Sequence, residues 1–175
     1  MTEQRHSTDD RLDAVTLLCD DHAKLKDLFK QFEQAPDIQA KQCIVESACA
    51  ELEIHSKIEE EIFYPAVRSK LNDDDMVDEA EEEHHEAKGL VDELKAMEPH
   101  DEKYDSTFKE LCDGVRHHIQ EEESEMFPEV KKTDLDLYAL GAEMAQRREE
   151  LWEAMPDADV SGKHSGDKTG RSLNL

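Results

Sequence analysis

Four stretches of this chain place an apolar residue at every third or fourth position, and each stripe is interrupted once by a histidine. The first runs Val15, Leu18, His22, Leu25, Phe29 and Phe32. The second runs Ile44, Ala48, Leu52, His55, Glu59, Ile62 and Ala66. The third runs Val77, Ala80, His84, Ala87, Val91 and Leu94, and the fourth Tyr104, Phe108, Leu111, Val115, His118 and Glu122. Steps of three and four keep side chains on one face of an α-helix. Each stretch therefore predicts an amphipathic helix with one imidazole on its buried face. Short connections make sequential helices antiparallel, so the expected fold is all-α: an up-down-up-down antiparallel four-helix bundle.

The punctuation supports this division. Ser7, Thr8 and Asp9 offer capping chemistry for the first helix. Ala35-Pro36-Asp37 ends it and opens the second, and Asn72-Asp-Asp-Asp75 and Glu98-Pro99-His100-Asp101 bound the third. Pro65 falls near the end of the second helix, where a kink is expected, and Pro128 follows the acidic run of the fourth. A fifth amphipathic stretch, with Leu137, Leu140, Met144, Leu151 and Met155, carries no His and predicts an extra C-terminal helix that packs on the bundle. The expected organisation is a flexible 1–9, a bundle over 10–132, a packing helix over 133–155 and a disordered tail over 156–175.

Charge narrows the partners. A net charge of -25 opposes binding to nucleic acid or an anionic membrane. No apolar run reaches membrane-spanning length, and a cytoplasmic protein is expected. Cys19, Cys43, Cys49 and Cys112 show no metal-knuckle spacing and are expected as free thiols.

The second and fourth stripes repeat one phrase. His55-Ser-Lys-Ile-Glu59-Glu60 leads to Phe63, Tyr64 and Pro65, and His118-Ile-Gln-Glu-Glu122-Glu123 leads to Phe127 and Pro128. Positions i and i+4 share a helix face, so each phrase aims an imidazole and a carboxylate together. With His22 and His84 from the other helices, six polar groups converge in the core. Periodicity selects His84 over His85 and His118 over His117. An unpartnered buried carboxylate costs several kcal/mol, against a total domain stability of about 5–15 kcal/mol. No Lys or Arg stands on the stripes at that level to neutralise the pair. Bound metal would satisfy all six groups, and two carboxylates can bridge two ions roughly 3.5–4 Å apart. Imidazole ligands suit iron, zinc, copper or nickel better than calcium or magnesium.

Asp21-His22, the His55 phrase, Glu83-His84 and the His118 phrase together resemble the hemerythrin-like (HHE cation-binding) family over residues 12–130. The resemblance implies a non-haem centre of two iron ions bridged by oxo or hydroxo. It implies His22, His55, His84 and His118 as terminal ligands, with Glu59 and Glu122 as bridges. The oxygen-carrying members have a further His one turn after the third-helix ligand, where this chain has Lys88. Glu60, Glu81, Glu123 and Tyr64 are close enough in sequence to reach the open positions, and are expected as partners of ligands more than as ligands. The implied function is binding or sensing of oxygen, nitric oxide or iron. The alternative is a peroxide-consuming, catalase-like enzyme, or another oxidative-stress redox enzyme, at the same centre. Repair of iron centres and a structural zinc bundle are more distant readings.

Overall fold

The structure is a computed structural model that describes residues 12–71 and 74–155. Helix α1 spans Ala14–Gln34 and α2 spans Ile38–Ile58. A π-helical turn, π1, follows at Glu59–Phe63, and α3 at Tyr64–Arg68 completes the second rod. Helix α4 spans Asp74–Ala96 and α5 spans Tyr104–Glu121. The fourth rod ends in the same way, with π2 at Glu122–Met126 and α6 at Phe127–Val130. Helix α7 spans Leu137–Ala154. Four long rods form the bundle, with α1 packed on α2 and α4 on α5, and α7 lies across α1, α2 and π1. Among the described residues, no helix is long and apolar enough to cross a membrane.

Aspartates start three of these helices. The side chains of Asp13, Asp37 and Asp136 accept hydrogen bonds from the backbone N–H groups of Thr16, Ala40 and Ala139. The cap expected at Ser7–Asp9 lies outside the described residues, as do the segments expected to be flexible or disordered, 1–9 and 156–175.

The second and fourth rods depart from simple α periodicity. Continued α stripes predict Ile62 and Ala66 inside, but Phe63, Tyr64 and Val67 are buried and Ile62 and Ala66 are half-buried. The cause is π1, where the Tyr64 N–H reaches back five residues to the Glu59 carbonyl. In π2 the Phe127 N–H does the same to Glu122. Each π turn adds one residue and advances everything after it by one position. Pro65 and Pro128 contribute, because proline has no N–H to close an α bond. The kink expected at Pro65 is therefore a π turn placed just before the proline, and Pro128 has the same arrangement. At the start of the second rod the stripe also shifts, with Val45 buried and Ile44 half-buried.

The core forms two apolar layers. One gathers Leu18, Ile58, Tyr64, Val77, Phe127 and Met144, and the other Leu25, Phe29, Leu52, Val91, Phe108 and Ile119. The six polar residues singled out by the stripes fall between these layers along each rod. Helix α7 seals the first layer with Met144 and Leu151. Its Gly141 lies against the start of α1, where a Cβ would collide with the Leu12 carbonyl oxygen and meet the Ala14 nitrogen at 2.8 Å. Both obstacles are backbone atoms, which cannot rotate aside. Gly141→Ala is expected to destabilise by about 1–3 kcal/mol, seen as a lower urea midpoint with an unchanged slope.

Candidate metal centre

His22, His55, Glu59, His84, His118 and Glu122 all converge in the middle of the bundle, and all six are buried. Single ligand-type atoms from His22, His55, Glu59 and Glu122 lie within 4.8 Å of one another, and so do those from Glu59, His84 and His118. Glu59 belongs to both groups. Its Oε2 lies 3.2 Å from His55 Nε2 and 3.2 Å from His84 Nε2. Glu122 Oε2 spans the other diagonal, 3.2 Å from His22 Nε2 and 3.5 Å from His118 Nε2. Each carboxylate thus sits between one imidazole of each group.

The outward nitrogens explain the orientation of the rings. His22 Nδ1 lies 3.0 Å from Glu123, His84 Nδ1 2.9 Å from Glu60, and His118 Nδ1 2.8 Å from Glu83. His55 Nδ1 lies 3.4 Å from Asp21. An ionised carboxylate only accepts, so each Nδ1–H is the donor. This fixes the tautomer and turns every Nε2 lone pair inward, the arrangement that supports a metal-bound imidazole. The partners follow a pseudo-two-fold rule. The acid before His22 holds His55, and the acid before His84 holds His118. The acid after Glu59 holds His84, and the acid after Glu122 holds His22.

Of the sequence-based expectations for surrounding groups, Glu60, Glu123 and Tyr64 reach the centre and Glu81 does not. Glu81 pairs with Arg68 at 2.9 Å. The Tyr64 hydroxyl donates to Glu122 Oε1 at 3.0 Å and lies 3.3 Å from His84 Nε2. In the other half Phe127 occupies the same offset and stacks on His22 at 5.7 Å. Lys88 is exposed. Sequence reasoning gave no role to Asp21 and Glu83, although each stands directly before a stripe histidine. It also missed Arg148 of α7, which pairs with Asp21 and ties the fifth helix to the centre. No periodicity signals that contact.

The inward groups are poorly satisfied by protein alone. His22 Nε2, His55 Nε2, both oxygens of Glu59 and Glu122 Oε2 are buried without a hydrogen-bond partner. His84 Nε2 faces His118 Nε2 at 3.2 Å, lone pair toward lone pair unless a proton or cation lies between them. Burial, and then the Glu122 charge, push the Glu59 carboxyl well above its ordinary range. Burial, and then the other imidazoles, hold His55 well below its own. Burial opposes protonation of His22 and His118, but nearby carboxylates outweigh it and both are raised. Burial pushes Asp21 up to about 6 even with Arg148 beside it. A set of inward acceptors left without donors is what bound cations would satisfy, so the residues present fit a metal. Loss of an outer partner weakens such sites about 10–100-fold. Glu60→Gln should lower metal affinity by about that factor, measured by competition with a chelator.

A groove of about 1080 Å³ between α4 and α5 is lined by His84 and His118 and by the side-chain-free Gly89 and Gly114. His84 and His118, both buried, therefore border this groove. Of the four cysteines, all are free; Cys49 and Cys112 are buried, Cys19 is half-buried and Cys43 is exposed.

Comparison with known proteins agrees with this architecture. A family model described as Hemerythrin HHE cation binding domain matches residues 13–130. A DNA nickase from a Nostoc species is 32% identical over 111 residues, a span that covers 63% of this chain and 31% of that protein. The match therefore spans less than a third of that relative's length. The crystal structure of a Hemerythrin HHE cation binding domain-containing protein from Mycobacterium kansasii superposes with a TM-score of 0.69 at 27% identity, over 80% of this chain and 87% of that one. The matched residues include all six inward side chains and both π turns, and the chain belongs to the hemerythrin HHE cation-binding family.

Proposed function

We propose that this chain is a non-haem di-iron protein that binds or senses a small ligand such as oxygen or nitric oxide, or responds to iron itself. The observation that carries the reading is the sharing of Glu59 by two ligand groups, with Glu122 spanning the same gap. His22 and His55 would hold one ion and His84 and His118 the other, with both carboxylates between them. Four imidazoles favour a transition metal over calcium or magnesium. Bound iron would supply a redox-active Lewis acid where such ligands can attach. The protein's own part is to fix four Nε2 lone pairs through their Nδ1 partners. It also keeps water scarce with two apolar layers, and leaves the α4–α5 groove as an approach for small molecules.

A peroxide-consuming enzyme at the same centre is the second reading. It is favoured by Tyr64, whose hydroxyl holds a proton beside Glu122 and His84 in one half only. The nicking named for the Nostoc relative is not carried over. The matched span is 31% of that protein, and a net charge of -25 repels a phosphate backbone.

Metal quantification and an optical spectrum of freshly purified protein, before and after air, nitric oxide and peroxide, test both readings. Two irons per chain and a spectrum that changes with oxygen or nitric oxide are expected, without sustained peroxide turnover. Zinc alone, from cells grown with ample iron, would overturn the di-iron reading. Sustained peroxide consumption that is lost in Tyr64→Phe, with iron content unchanged, would establish the enzyme instead.

A further inference from the structure

We infer that Glu83, His117 and Glu121 form a third, solvent-facing divalent-cation site that receives a first-row metal ion and passes it to the buried centre. The entry role rests on the metal-binding reading above; the surface site does not. One ligand-type atom from each of the three residues lies within 4.8 Å of the others. His117 Nε2 is 3.2 Å from Glu121 Oε1 and 3.7 Å from Glu83 Oε1. His117 is 63% exposed at its side chain, so the imidazole faces solvent while the carboxylates are partly sheltered. One imidazole and two carboxylates form a mixed donor set suited to ferrous or manganous ions.

Two further observations connect this cluster to the interior. Glu83 reaches both ways: Oε1 faces His117, and Oε2 accepts from His118 Nδ1 at 2.8 Å. A cavity of about 30 Å³ also adjoins the cluster. Its lining includes the exposed Glu79 and Glu125, the half-buried Glu83 and Glu121, and the buried His118 and Glu122. Glu122 is 1% exposed and its Oε2 has no hydrogen-bond partner. Glu122 therefore borders the same space as the surface carboxylates, while its Oε2 is directed at His22 and His118. The cavity has room for about two waters, fewer than the hydration shell of a dication. An arriving ion has to exchange waters for protein ligands before it enters. Glu83, His117 and Glu121 can supply those ligands at the threshold, and the acidic surface draws cations toward them.

The test uses full-length protein whose buried centre has been loaded with iron and cleared of loose metal by a chelator. Manganous ion is then titrated in, and the loss of its free-ion electron paramagnetic signal counts bound ions. Manganese is the weakest binder of the first-row series and does not displace the buried iron. The expected result is one added ion per chain, absent in a His117→Ala, Glu121→Gln double variant. It should be retained in a His100→Ala, Glu102→Gln control of equal charge change. Ferrous loading of metal-free protein should slow by about tenfold or more in the first variant, with final iron content unchanged. No added ion in the native protein, or its retention in the double variant, would overturn the site. Loss of the added ion with loading as fast as in the control would overturn the entry role. If the native protein holds no chelator-resistant metal, the di-iron reading fails and the entry role with it, while the manganese titration still decides the surface site.

Discussion

Stripping the metal should lower the melting temperature by at least about 10 °C at neutral pH. A ligand present at a thousandfold excess over its Kd stabilises by ~4.1 kcal/mol, so two ions contribute about 8 kcal/mol at that excess. In a domain of this size each kcal/mol moves the midpoint by roughly 2–4 °C. The structural reason is the set of buried nitrogen and oxygen atoms at the centre that no protein donor satisfies. Calorimetry of the same preparation before and after chelation checks it, and equal melting temperatures would contradict a buried centre. The gap should also depend on pH with a definite sign. In the metal-free protein His22 and His118 are raised above the ordinary imidazole value. Their contribution is fully present below about pH 6.5 and is lost as pH rises through the folded values. The raised Glu59 acts in the same direction. The lowered His55 opposes them, but only below about pH 6.5, where its unfolded form titrates. Above that point the metal-free protein should weaken with rising pH. The loaded protein, whose imidazoles no longer take up protons, should not. The melting gap therefore widens from pH 6.5 upward and narrows in acid as protons displace metal.

The second large effect concerns stoichiometry. Glu59→Ala should remove both ions, because its carboxylate belongs to both ligand groups. On the di-iron reading, His118→Ala should spare the ion that His22, His55, Glu59 and Glu122 would hold, and so halve the metal content. Each variant is analysed for metal per folded chain, with helix content by circular dichroism as the fold control. Equal loss from the two variants would show that the ions bind only as a pair. Retention of both ions in Glu59→Ala would remove the bridge from the account.

The contrast between these variants reflects how the centre is encoded. The stripe periodicity placed one imidazole in each rod and chose His84 and His118 over their neighbours, and all of these are buried in the structure. That reading succeeds because a helix face is a local property: residues three and four apart share it whatever lies opposite. The local rule failed at Ile62 and Ala66, where π1 inserts a residue and buries Phe63, Tyr64 and Val67 instead. The shift is set by the fold of the turn around Glu59, and an α period cannot show it. Glu60 and Glu123 were legible as neighbours of the centre because they adjoin Glu59 and Glu122. Asp21 and Glu83 were present beside His22 and His84, but each serves an imidazole on a different helix, and sequence adjacency does not show which.

The sequence by itself determined an all-α bundle, the six inward residues and the repeated His-x3-Glu phrase, because helical spacing and the cost of unpaired buried charge are properties of residue type and order. Only the tertiary structure decided which atoms face one another. It placed Glu59 in both groups of metal-ligand-type residues, and it paired each imidazole with a carboxylate that fixes its tautomer. It gave Tyr64 to one half and Phe127 to the other, brought Arg148 of the fifth helix onto Asp21, and set His117 beside Glu83 at the mouth of a small cavity. These are relations across helices, fixed by the rotation of each rod about its axis, and a period along one rod carries no record of that rotation.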